Sequence, residues 1–183
     1  MHKLVAFSFA AFCLVSVPVF AAGGGGSGGG SSSSGGGGSP SDHGCKKGEV
    51  WNKKTKKCVK EQSGILPDEE LYQQGRALAK TGQYDWALEV LSLVQNQNDP
   101  RVLNYMGYSN RKAGRLEVAV GYYRKALAIN PNFVLAREYL GEGYVAAGRS
   151  DLAKAELAEI AQRCGVTCEE YRDLSLAIAG KAE

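Results

Sequence analysis

The sequence predicts an all-α protein built of stacked helix–turn–helix units, and three observations carry that expectation. Apolar residues after Pro67 recur at helical rather than alternating spacing. A glycine-centred block occurs three times, KTGQYDWALEVL at Gly82, KAGRLEVAVGYYRKAL at Gly114 and AAGRSDLAKAEL at Gly148, with offsets of 32 and 34 residues. Each block keeps the same sizes of residue in the same places: Gly75, Gly107 and Gly141 seven before the glycine, Ala87, Ala119 and Ala153 five after it, and Leu91, Tyr123 and Leu157 nine after it. Small residues at the first two places let paired helices approach closely, and the large ones fill the gap between pairs.

The elements are expected in this order. His2 and Lys3 precede an uncharged apolar run from Leu4 to Phe20, and Val19-Phe20-Ala21 supplies the residues of a cleavage site after Ala21. This is the pattern of a secretory signal peptide over 1–21, too short and too poorly flanked for a stable membrane span. Cys13 lies within that run and leaves with it. Residues 22–41 follow as a flexible linker, because 23–39 contain only Gly and Ser and have nothing apolar to bury. Seventeen such residues span ~23 Å root-mean-square, and their composition is also that of laboratory linkers. The expected location is the periplasm or the exterior.

Residues 42–61 are expected to form a basic hairpin closed by a disulfide. CKKGEVWNKKTKKC carries Lys46, Lys47, Lys53, Lys54, Lys56 and Lys57 around Trp51, with Asn52-Lys53-Lys54-Thr55 as the turn. Four cysteines remain after the leader, and an even number in an exported chain argues for disulfides. Of the three connectivities, the spacing favours Cys45–Cys58 and Cys164–Cys168. A zinc site from His43, Cys45, Cys58 and a distant cysteine matches no common finger spacing. Residues 44–60 have a net charge of +6 and residues 61–183 of −3, so the overall +3 conceals a basic head on a mildly acidic body. The hairpin's lysines suit anionic envelope polymer or lipid head groups; export disfavours nucleic acid.

The repeats are expected at 68–99, 100–133 and 134–167, with a capping helix at 168–182. Asp99-Pro100 and Asn130-Pro131 each offer a capping side chain before a proline fit for a first helical turn. Gly165 marks a helix stop, and Thr167-Cys168-Glu169-Glu170 reads as a capping box for the last helix. Glu69-Glu70 and Glu169-Glu170 sit in first turns, where they suit the helix dipole.

The repeated block resembles the tetratricopeptide repeat, most clearly in LNYMGYSNRKAGRLEVAVGYYRKALAINP, Leu103 to Pro131, with Gly107, Gly114, Ala119, Tyr123, Ala126 and Pro131 at the family's pattern positions. The first copy departs from it at Gln74 and Val94 and is two residues short; the third departs at Ser150 and Ile160. The resemblance implies an α–α superhelix whose first helices line a concave, peptide-binding groove. Carried onto this chain, it places Tyr72, Arg76, Lys80, Arg101, Asn104, Tyr108, Arg111, Lys112, Glu138 and Glu142 in that groove, together with Glu69, Ala79, Leu135, Val145 and Ala146. Closures like Cys164-x-x-x-Cys168 before a Glu-Glu-Tyr helix are similar to those of exported bacterial repeat proteins. The hairpin resembles, less specifically, the knots of secreted cysteine-rich modules.

No catalytic constellation accompanies these features. His43 is the one histidine left after the leader, and the sequence contains no P-loop, dinucleotide fingerprint, nucleophile elbow or zinc-protease helix. No cofactor is expected. The expected function is therefore a non-catalytic scaffold that binds another protein or peptide segment; the alternative is an envelope-polymer-binding factor acting through the hairpin, with the repeats as a spacer.

Overall fold

The computed structural model describes residues 39–180. The leader, Cys13 and the Gly/Ser stretch through residue 38 lie outside the described residues, as do 181–183. Within that span the chain forms a two-stranded hairpin, β1 (Glu49–Asn52) and β2 (Lys57–Lys60), followed by seven helices: α1 (Asp68–Lys80), α2 (Tyr84–Ser92), α3 (Pro100–Lys112), α4 (Leu116–Ile129), α5 (Val134–Ala146), α6 (Ser150–Cys164) and α7 (Glu169–Ile178). Helices pair as α1–α2, α3–α4 and α5–α6, each pair packs on the next, and α7 packs on both α5 and α6.

The three turns between paired helices repeat one geometry. Gly82, Gly114 and Gly148 have φ of 82°, 80° and 70°, a left-handed conformation that costs a residue with a side chain and costs glycine little. Each turn is closed by a bond from the next residue back to the helix, Gln83 N–H to Leu78 O at 2.9 Å, Arg115 to Asn110 at 2.9 Å and Arg149 to Tyr144 at 2.7 Å. These are the long-range bonds of the Schellman motif. The residue after the glycine also links repeats: Arg115 pairs with Asp85 and Arg149 with Glu117.

Close approach accounts for the second set of glycines. A Cβ on Gly75 would lie 2.6 Å from Leu91, and one on Gly107 would lie 2.5 Å from the Tyr123 ring. In the third copy the large partner is different. Gly141 faces Leu174 of α7, 2.5 Å from where a Cβ would sit, rather than Leu157. Leu157 remains partly buried against Ile160, Leu174 and Ala177. Leu174 of the terminal helix thus takes the place that periodicity assigned to Leu157, because α7 packs on α5 as well as on α6.

Three local expectations are corrected. Residues 39–41 are folded rather than linker: Ser39 caps a 3₁₀ turn at Pro40–His43, and Ser39 and Pro40 are buried. Asn130-Pro131 does not start a helix. The Asn130 N–H bonds back to Ala126 as the end of α4, its side chain accepts from the Asn132 N–H, and α5 begins only after Phe133. The loop is instead held at the Pro131 carbonyl, which accepts from Arg137 and Arg163 at 3.0 Å each. Thr167 does not cap α7; Cys168 occupies that position, with no capping side-chain bond, because its sulfur is committed to Cys164. Asp99, by contrast, caps α3 as expected, accepting from the Arg101 N–H at 2.8 Å.

The hairpin is not a separate head. Cys45–Cys58 closes it with 5.5 Å between Cα atoms, and Val50 pairs opposite Val59. Val50 is fully buried in one cluster with Leu66 and with Leu71, Leu78 and Trp86 of the first repeat. A two-stranded ribbon has too little apolar surface to be stable alone; this one completes its core by covering the open end of α1–α2.

Candidate functional site

The first helices of the pairs, α1, α3 and α5, with α7 at the far end, surround a groove of about 430 Å³. Tyr108 and Tyr139 form its aromatic floor, ring centroids 5.2 Å apart. Cations lie over both rings. Lys80 Nζ donates to the Tyr139 hydroxyl at 3.2 Å and sits 5.4 Å from the Tyr108 centroid, Arg111 is 5.5 Å from the Tyr139 centroid, and Lys112 is 5.9 Å from Tyr108. Such cation–π pairs hold charge at an apolar surface without neutralising it. Arg76 donates to the Tyr105 hydroxyl at 2.9 Å and extends the basic wall.

The opposite wall is acidic. Glu138 and Glu142 of α5 face the groove with Glu169, Glu170 and Asp173 of α7. Arg111, whose side chain is only 9% exposed, forms an ion pair with Glu142 and donates to Tyr123 at 3.4 Å. Glu138 is 5% exposed. Burial, reinforced by Glu142, Asp173 and Glu170 and only partly opposed by Arg111, pushes its carboxyl up to about 8. Burial likewise raises the hydroxyls of Tyr108 and Tyr139 above the usual tyrosine range.

Of the fifteen residues assigned to the groove from sequence, Arg76, Lys80, Tyr108, Arg111, Lys112, Leu135, Glu138 and Glu142 converge here. Glu69, Tyr72, Ala79, Arg101, Asn104, Val145 and Ala146 do not line it. Asn104 is fully buried, and both its amide atoms lack hydrogen-bond partners among the described residues. Arg101 lies over Tyr72, 4.6 Å from the ring centroid, and pairs with Asp99 and Glu69. The reason for Asn104 is that α3 is central: residues 102–107 are buried, and of them only Tyr105 lines the groove, which otherwise takes Tyr108, Arg111 and Lys112 from the last turns of this helix. Tyr105, Tyr139 and the three α7 acids were not anticipated. Glu169-Glu170 were visible in the sequence as a first-turn pair, but nothing local says that α7 folds back against α5.

The hairpin lysines are placed differently from one another. Lys47 pairs with Glu89 of α2 at 2.8 Å. Trp51 stacks on His43, centroids 4.3 Å apart, and its backbone is bound by Gln74. Lys46, Lys53, Lys54, Lys56 and Lys57 are exposed. Asn52 organises the turn by accepting from the Lys54 and Thr55 N–H groups at 3.0 Å. Cys45 and Cys58 come near Glu49, and Cys164 and Cys168 near Glu170. Each pair is joined as a disulfide, so one carboxylate is left at each place and neither offers a metal site.

Residues 100–133 match the model of the tetratricopeptide repeat family. No curated protein matches the chain. Among solved structures, the chain is similar to the crystal structure of MamA, with 22% identity, a TM-score of 0.54 and coverage of 62% of this chain and 68% of that one. It is also similar to the first tetratricopeptide-repeat domain of Spaghetti (RPAP3) bound to an HSP90 peptide, at 20% identity and TM-score 0.53, covering 63% and 99%. The Yersinia enterocolitica type III secretion chaperone SycD in complex with a peptide of the translocator YopD gives 20% identity and TM-score 0.54, covering 65% and 93%. Residues 100–133 are thus a tetratricopeptide repeat, and the helical body around them has the fold of tetratricopeptide-repeat proteins.

Proposed function

We propose that this chain is a non-catalytic interaction module that holds a partner peptide in the groove between α1, α3, α5 and α7. The observation that carries this reading is the groove itself, a tyrosine floor with Lys80 and Lys112 on one side and carboxylates on the other. Among the described residues, Lys112 makes no hydrogen bond or ion pair, so its charge is available to a ligand. Two of the similar structures, those of RPAP3 and SycD, were solved with peptides bound. An apolar floor that fixes a peptide, with charges that orient it, is the usual division of labour in such grooves. Export to the periplasm or beyond is part of the proposal: the leader-like N-terminus supports it, and the two disulfides accord with an oxidising compartment.

The exposed lysines of the hairpin turn keep the envelope-polymer reading in second place. Docking of the hairpin on α1 argues against it as a tethered binding head, since Val50 and Gln74 tie the hairpin to the first repeat. Removing the hairpin would uncover that core, so the test keeps the full chain. A photo-crosslinking residue is placed at Tyr108 in the groove or at exposed Leu152. Capture of one partner from Tyr108 alone, abolished by Lys80→Glu with Lys112→Glu, is the expected result. Equal capture from both positions, or capture lost only when Lys53, Lys54, Lys56 and Lys57 become Ser, overturns it.

A further inference from the structure

The carboxylates of the groove are unequally satisfied. Arg111 is committed to Glu142 and Tyr123, and Lys80 to the Tyr139 hydroxyl. Glu138, although 5% exposed and facing the groove, has no hydrogen bond or ion pair among the described residues. Its carboxyl meets the groove, and a carboxylate so confined is costly to ionise without a cation beside it. The nearby groups on α7, Glu170 and Asp173, deepen the negative potential instead of relieving it. A group of this kind attracts a cation, and the groove leaves room beside it.

We propose that the Glu138 end of the groove is a cation subsite that seats a lysine or arginine side chain of the bound segment. The segment would then lie with its positive end toward α5 and α7 and its negative end toward Lys80 and Lys112. This assignment rests on the groove reading above and specifies the partner's chemistry: a peptide with separated charges of both signs rather than a uniformly acidic one. A guanidinium fits best, because its planar donors satisfy both oxygens of Glu138 and reach a neighbouring carboxylate. The elevated carboxyl of Glu138 agrees with a site whose counter-charge arrives with the ligand.

The test uses the full chain and an array of short synthetic peptides of varied sequence. Peptides whose capture is lost with Lys80→Glu and Lys112→Glu are the groove binders. Each lysine or arginine in them is then replaced by norleucine. The expected result is that one replacement weakens binding about tenfold to the wild type and no more than about twofold to Glu138→Gln. Melting of Glu138→Gln at or above the wild-type temperature confirms that the variant is folded, because it removes a buried charge without changing shape. Groove binders that tolerate every norleucine replacement, or that lose as much on Glu138→Gln as on wild type, overturn the cation subsite and leave the groove intact. An array with no peptide dependent on Lys80 and Lys112 is a different failure: it removes the groove reading itself, and the subsite with it.

Discussion

Gln74 holds the backbone of Trp51 at both ends. Its side-chain oxygen accepts from the Trp51 N–H at 2.8 Å, and its amide nitrogen donates to the Trp51 carbonyl at 2.9 Å. Gln74 is fully buried, at a position where the repeat pattern calls for an apolar side chain. Its departure from that pattern is therefore the joint between hairpin and superhelix: an amide completes the open edge of β1 as a neighbouring strand would.

Gln74→Leu is expected to cost about 2 kcal/mol, since it restores an apolar side chain and leaves two backbone groups of Trp51 unpaired. Urea unfolding measures the loss. Hydrogen exchange should locate it, with amides of residues 49–60 losing protection before those of α3 and α4. Uniform change across all helices would contradict the joint.

Gly107→Ala tests the helix pairing. The new methyl group would enter the Tyr123 ring, which is itself fully buried and has little room to move. Overpacking of this kind costs about 1–3 kcal/mol. An unchanged melting temperature would mean that α3 and α4 are not so closely apposed.

Arg111 and Lys112 are neighbours with opposite roles. Arg111→Met strands Glu142 in a half-buried setting and should cost about 1–3 kcal/mol. Lys112→Ala touches only the rim and should change stability by less than about 0.5 kcal/mol while weakening ligand capture. Thermal melts beside crosslinking yields separate the two effects. Similar melts for both variants would show that Arg111 is not a strut.

Glu138 should make stability depend on pH. Its folded-state value of about 8 lies above the ordinary 4.5. The contribution of the protonated carboxyl is fully present below pH 4.5 and is lost as pH rises through about 8. At 1.36 kcal/mol per unit, the fall across that window is roughly 2–5 kcal/mol. Glu138→Gln should flatten the window and leave the protein more stable than wild type at pH 8.5. A parallel pH profile in the two proteins would place Glu138 in water.

The two disulfides should differ in worth. Cys45–Cys58 closes a longer loop, with a sequence separation of 13, than Cys164–Cys168, with a separation of 4. The chain-entropy model gives about 3 and about 2 kcal/mol respectively. Alkylation of the protein without reductant should leave Cys45, Cys58, Cys164 and Cys168 unmodified; alkylation at any of them before reduction would refute the pairing. Replacing each pair by Ala then ranks the costs in urea.

What the sequence determined by itself was local and periodic. The positions of Gly82, Gly114 and Gly148 mark the turns because each must adopt a left-handed conformation, and Gly107 with Tyr123 marks a close helix pair; both constraints act within one repeat. The cysteine spacing and the Asn52 turn of the hairpin were legible for the same reason. The tertiary structure alone decided which faces stay open. Asn104 and Tyr108 lie one helical turn apart on α3, yet only Tyr108 reaches the groove, because the packed helices enclose Asn104 completely and leave Tyr108 half-buried at the groove. The acidic wall needs Asp173 and Glu170 brought back to Glu138 by the packing of Leu174 on Gly141, and the hairpin's seat needs a bond between residues 23 apart. Burial and electrostatic potential are sums over neighbours in space, so no spacing along the chain encodes them until the helices have stacked.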